Sequence, residues 1–559
     1  MRRKNIDPKN LNLSESTFVD KKYGLGVIRK PDFNHKLITR RDFMGHALNA
    51  GLSFAVLPSV LSLASRRVYG ADSSCAGALT TGMPVRVLMV DKAGGIPMTW
   101  QTVIGGEGGQ LDYLSTSPTN NAYGKWGLTP GSDYSNASIR DAVIKDFGLK
   151  FHPSSSFAEE LRNAIPTDKR KHIDGTSFAL QSRSDTNSNA MSALRAFAYY
   201  GFSGSLTSAA GTEGGSGGRH AEIRGIPSSS PSPITIANTT QARALAGYSA
   251  LQQIFGSASD PETGKRLAQK ILESSQKMSE RARISFSNMS ADQQADLVVK
   301  CGLLDSVTRP TRFVVDNIMT ADPFASDAVL RTAFGGGNFG NLPEAQRQAA
   351  IMARLLYEGY VGAANVVAGN GDCHANQAEI VPFNEMRSDG QLVGRVIRYF
   401  IDRNATAPAG QQISLVVLYQ TDGSQLARES RPYTAAANGG SYDLTAADGD
   451  WDFGNQTTFI YSPLIDNRTA NLFRSPVRVA DGGQDHGRQI GFFTRDGVPD
   501  NSSIFYNDPS NYGAVLTMNL LALFGEEARY TEITGGRNLF RSTAEYEKHL
   551  IWKKLFDRA

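Results

Sequence analysis

The apolar positions of this chain fall into short runs, each closed by a polar turn. "PVRVLMVD" (84–91) ends in Asp91 and is followed by "KAGG", the pattern of a buried parallel strand entering its C-terminal loop. "AANVVAG" (363–369) reads as another strand and runs into "NGDCHANQ"; "QISLVVLYQTDG" (412–423) is a third and ends at Asp422. Helical spacing appears at 137–147, 157–164 and 188–200, twice within 240–283, and at 291–304. The clearest helix is 342–362, with Pro343 near its start and Gly359 near its end, and another follows at 512–525. Residues 105–136 read as loop, and "GGEGGQ" within them lacks both the lysine of a phosphate-binding loop and the spacing of a dinucleotide turn. The Ser-, Gly-, Thr- and Pro-rich stretch 203–238 predicts a long surface excursion, and 424–480 is polar and irregular apart from "TTFIYSP".

Strand, helices, strand, strand is the order of an α/β domain, and in open α/β sheets ligands gather at the carboxyl ends of the strands. Asp91, Asp372 and Asp422 all fall at such ends. That pattern suits a divalent cation, either zinc or a harder ion such as calcium or magnesium.

Composition narrows the class. With 559 residues, 40% hydrophobic and 20% charged, the chain is long enough for a large core and reads as globular. The net charge of +4 is local: residues 1–70 hold 13 Lys/Arg against 5 Asp/Glu, leaving 45 basic and 49 acidic residues beyond them. No basic body remains to grip phosphates, which argues against a nucleic-acid partner.

The basic surplus belongs to "ITRRDFMGHALNAGLSFAVLPSVLSLASRRVYGADS". Thr39-Arg40-Arg41-Asp42-Phe43-Met44 resembles the twin-arginine export consensus, and a modestly apolar stretch from Ala47 to Ala64 follows it. Small residues near Gly70 and Ala71 suit cleavage. The expected organisation is a signal region over 1–70, with a long polar leader, and one large α/β domain over 71–559 with insertions at about 203–238 and 424–480. The expected location is the periplasm, the cell surface or the medium, the expected partner is the twin-arginine machinery, and no stable membrane span remains after cleavage. Three cysteines, Cys75, Cys301 and Cys373, agree with a fold that does not depend on a disulfide framework.

"ARLLYEGYVGAANVVAGNGDCHANQ" is similar to the helix–strand–loop of a bacterial exported family known as domain of unknown function 1501. Its Asp-x-His pair stands here as Asp372 and His374, followed by Ala375-Asn376-Gln377. "QDHG", with Asp485 and His486, resembles that family's Thr-Asp-His-Gly, and "SRSDTNSNAMSAL" its serine, aspartate, threonine and asparagine segment. The family is allied to the alkaline phosphatase and sulfatase superfamily. The resemblance implies an α/β/α sandwich around a mostly parallel sheet, with metals at the strand ends that polarise an ester and activate the attacking group. It implies Asp91 and Asp422 on one metal, His374 and His486 on the other, Asp372 and Asp485 in the same ligand set, and Thr186, preceded by Asp185, as the nucleophile.

Two positions depart from that pattern. Asn370 stands where active phosphatases carry an aspartate, and Gly423 follows Asp422 where they carry a histidine. One metal thereby loses a charge and the other an imidazole. Two readings follow: a metal-dependent hydrolase of phosphate or sulfate esters, or a non-catalytic exported protein of the same fold that binds an envelope glycan or a protein partner. His152, His172, His220 and His549 lack such context and read as surface or capping residues.

Overall fold

Eight strands form the central sheet of the computed structural model. It describes residues 85–93, 134–181, 194–202, 207–212, 233–245, 319–370, 380–408, 410–421, 453–469, 510–536 and 538–556, with a few shorter segments between them. In chain order the strands are β1 (Val85–Ala93), β2 (Ile173–Gln181), β3 (Thr207–Gly211), β4 (Ile234–Thr235), β5 (Val361–Asn370), β6 (Ser414–Thr421), β7 (Phe453–Tyr461) and β8 (Gln489–Ile490). They lie in the order β8-β2-β7-β6-β1-β5-β3-β4. Only β7 runs against the rest: it pairs antiparallel with β6 and with β2, while all other neighbours are parallel. The sheet is therefore mixed but mostly parallel, and β1 lies between β6 and β5 near its middle.

The three strands read from apolar runs are β1, β5 and β6. Each is buried because helices pack on both faces, as near-continuous apolar sequence requires. Leu88 and Val90 of β1 join one core cluster with helices α1 (Ser156–Ala164), α3 (Glu344–Tyr357) and α4 (Ile380–Thr406). Val85, Val87 and Met89 face the other side, against α2 (Leu194–Tyr199) and α5 (Ser510–Ala522). The period of two in a strand thus divides β1 between two cores. Asn519 of α5 ties down the chain's C-terminal segment, accepting from the amides of Ile551 (2.9 Å) and Trp552 (3.2 Å). Among the described residues no helix is long and apolar enough to cross a membrane.

Helix α3 ends as its sequence requires. Gly359 takes φ +76°, and the amides of Gly359 and Tyr360 bond back to Leu356 and Leu355. Other stretches depart from the pattern reading. The helix expected over 137–147 stops at Asp141; Ile144–Phe147 is instead a short strand that turns at Gly148 (φ +78°) and pairs with Leu149–Phe151. The surface excursion expected over 203–238 contains β3, which is buried throughout and pairs with β5. Its small residues Ser208, Ala209 and Ala210 gave a loop-like composition, yet small size is what lets a strand sit under closely packed neighbours. Strand β2 and helix α4 have no counterpart in the pattern reading. The second helix expected within 240–283, the helix at 291–304 and the signal region lie outside the described residues.

Helix α4 carries Gly390 and Gly394 on the face that meets α1. A Cβ on Gly390 would lie 2.4 Å from the carbonyl oxygen of Phe157, and one on Gly394 would lie 2.7 Å from Ala164 Cβ. Gly390→Ala is therefore expected to destabilise the protein by about 1–3 kcal/mol, because overpacking against backbone outweighs the ~1 kcal/mol that alanine's helix propensity contributes. A urea midpoint unchanged or raised in the variant would contradict the close approach.

Candidate functional site

The carboxyl end of β1 places two charged side chains on opposite faces of the sheet. Asp91 stands level with Gln420 of β6 and Val367 of β5. It is 2% exposed. Its side chain shares a face with Met89, and there Gln420 Nε2 donates to one carboxylate oxygen (2.6 Å) and Asn365 Nδ2 to the other (3.0 Å). Tyr512 of α5 lies on this face. Burial, and then the negative charge of Asp91, push its hydroxyl well above the usual tyrosine range.

Lys92 turns the other way and is fully buried. Its ammonium donates to the carbonyl of Ala368 on β5 (3.1 Å) and forms ion pairs with Asp389 (3.2 Å) and Glu385 of α4. Tyr419 of β6 donates its hydroxyl to Asp389 Oδ2 (2.5 Å), the oxygen that also lies 3.2 Å from the ammonium. Burial pushes Asp389 up to about 6, against the opposing pull of Lys92. Tyr419 is raised well above its ordinary value by burial and by Asp389.

The donor set at Asp91 fits a hard cation. A carboxylate that accepts one amide on each oxygen still has a lone pair on each oxygen. Beside it, Gln420 Oε1 is buried and has no hydrogen-bond partner. An acceptor-only oxygen in that position matches the oxygen preference of calcium or magnesium better than the nitrogen and sulfur preference of zinc. Asp91 is the one residue of the expected ligand set whose side chain falls among the described residues. Among those residues no group of three His, Cys, Asp or Glu side chains is placed to hold a metal.

The other expected site residues are placed only by chain connection. β5 ends at Asn370, so Asp372 and His374 follow two and four residues later, outside the described residues. β6 ends at Thr421, and Asp422 is the next residue, also outside them. The backbone of Asp485 pairs with Val479 in a short two-stranded ribbon separate from the main sheet. His486, Asp185, Thr186, Cys373 and Gly423 lie outside the described residues as well.

Two of the remaining histidines are buried, not on the surface. His152 is 3% exposed and its Nδ1 accepts from the Ser154 amide (3.1 Å). His549 is 6% exposed, its Nδ1 lies 2.7 Å from the Glu545 carbonyl, and burial lowers its pKa. Their work is local backbone bonding. His172 instead makes a long-range contact, with Nδ1 2.8 Å from the carbonyl of Ile465, distant in sequence.

The pattern reading passed over Asn365, Gln420, Lys92 and Asp389. A signal was present for the first three: each is a polar residue inside an otherwise apolar strand, where an unpaired polar group is costly. Comparison with known proteins adds no relative, since no family model, curated protein or solved structure matches the chain. What fold and site define is an α/β protein with a mostly parallel sheet and a buried carboxylate at the carboxyl end of a central strand.

Proposed function

We propose that this is an exported protein of alkaline phosphatase-like fold, acting as a metal-dependent hydrolase of phosphate or sulfate esters at the carboxyl ends of β1, β5 and β6. One observation carries the reading. These three strands are adjacent and parallel, and the central one ends in a buried carboxylate held by amides from both neighbours. The neighbours lead directly into the segments that hold Asp422 on one side and Asp372 and His374 on the other. Parallel strands about 4.8 Å apart deliver consecutive loops to one small region.

In this reading Asp91 and Asp422, with Gln420 beside them, hold one cation; Asp372, His374, Asp485 and His486 supply the rest of the ligand set. The bound cation supplies Lewis-acid polarisation of the ester oxygen and charge stabilisation. The protein's own part is to fix the carboxylate. Asn365 and Gln420 hold Asp91 in one orientation, and the apolar Met89 face below it keeps water from competing. Thr186, with Asp185 before it, is the proposed nucleophile.

Metal analysis of protein purified through its native export route tests the reading, together with release of product from a generic aryl phosphate and aryl sulfate. Bound divalent metal and chelator-sensitive turnover are expected. A second reading, a non-catalytic binder of an envelope glycan or protein, is favoured by the two amides already satisfying Asp91. Inert protein whose stability ignores chelator would replace the first reading with the second.

Export has its own test. Arg40→Lys with Arg41→Lys is expected to leave the protein in the cytoplasm with its leader uncut, because the pathway reads the paired planar guanidinium groups and lysine is not equivalent. Normal fractionation of the double variant into the periplasm would exclude a twin-arginine signal.

A further inference from the structure

We infer that Lys92 is a positioning residue for this same strand edge: its ammonium fastens the end of β5 to the start of α4, and so holds both described ends of the connection that carries Asp372 and His374. Its carbonyl partner, Ala368, lies two residues before the end of β5 at Asn370. Its carboxylate partners, Glu385 and Asp389, lie on α4, which begins at Ile380. Lys92 also follows Asp91 in the strand, so the group that fastens the connection and the carboxylate of the proposed site share one rigid backbone.

The chemistry of the cluster suits fastening more than catalysis. Lys92 is fully buried, on the face of the sheet away from Asp91, and its three donors are all spent on fixed acceptors. Asp389 is in turn held by the Tyr419 hydroxyl, which comes from β6. The cluster therefore joins β1, β5, β6 and α4 at one point. Only Glu385, with a side chain 33% exposed, reaches toward solvent. An ammonium with three directed acceptors is stiffer than an apolar contact of equal size, because each bond also fixes an angle.

The inference deepens the proposed function and rests on it for the metal, but its first test does not. The protein is prepared as the full exported chain, as Lys92→Met, and as Lys92→Met with Asp389→Asn. The double variant removes both buried charges and keeps an acceptor for Tyr419, so it separates fastening from the cost of a stranded charge. Hydrogen–deuterium exchange is read by mass spectrometry. Peptides covering 369–384 are expected to exchange at least about tenfold faster in both variants, beyond any uniform change that the β7 and α5 peptides show through lowered global stability. Equal protection of 369–384 in the parent and the folded double variant overturns the inference, and so does complete exchange of that segment in the parent. Titration with cobalt(II) chloride then reads the site. The double variant is expected to show a changed visible absorption band and a weaker affinity, and an identical band and affinity would also overturn the inference. A parent that binds no cobalt counts against the metal reading alone and leaves the exchange result to decide.

Discussion

Lys92→Met unfolds at a much lower urea concentration than the parent, with an expected loss of about 3–5 kcal/mol near pH 8. The size follows from what is left behind. Asp389 is 1% exposed in its side chain, and without the ammonium its charge has only the Tyr419 hydroxyl to face. The pH dependence has a definite sign. Asp389's carboxyl is pushed up to about 6, so it binds its proton more tightly folded than unfolded. Its contribution to stability is therefore fullest below about pH 4, the unfolded value, and is lost as pH rises through the folded one. Lys92 lowers that folded value, and removing it raises it further. Parent and variant should then differ least near about pH 5, where the carboxyl is protonated in both, and most near about pH 8. Urea unfolding at the two pH values measures this. A loss that is equal at both would show that Asp389 does not carry the cost.

Asp91→Asn is expected to lower ester hydrolysis at least about a hundredfold, because losing a ligand charge removes several kcal/mol of Lewis-acid stabilisation. It is also expected to cost about 1–3 kcal/mol in stability, since asparagine offers one acceptor where Asn365 and Gln420 supply two donors. The two losses are separable. Asp91→Asn assayed at a temperature where it is fully folded isolates the first, and metal content measured on the same sample states its cause. A folded variant with parental metal content and turnover would remove Asp91 from the site. Loss of stability alone, in a protein that turns over no ester, would assign Asp91 to the sheet's internal bonding and favour the binding reading. His374→Ala should follow Asp91→Asn in lowering metal content and turnover together, whereas Thr186→Ala should abolish turnover and keep the metal.

Where local sequence carried the signal, the elements were legible. β1, β5 and β6 are apolar runs closed by polar turns, α3 is bracketed by Pro343 and Gly359, and α5 is a run of large apolar residues; in each, the side chains that define the element are those it buries. The mixed α/β class followed from their order. So did the expectation that acidic residues collect at strand ends, which Asp91 meets at the end of β1. Other elements depended on partners distant in sequence. β3 is built of Thr, Ser, Ala and Gly, a loop composition, and becomes a strand because β5 pairs with it and buries it. α4 carries two glycines that weaken a helix in isolation, and it forms because those glycines let it lie against α1. Lys92 followed an apolar run and read as the first residue of a turn; the sheet extends past it, and α4 supplies the carboxylates that let its charge be buried. The amides that hold Asp91 come from strands 274 and 329 residues further along the chain. Periodicity and turn chemistry act over a few residues and are written in the local sequence. The pairing of a buried charge, or the seating of a glycine face, is a property of two distant segments and exists only once the chain has brought them together.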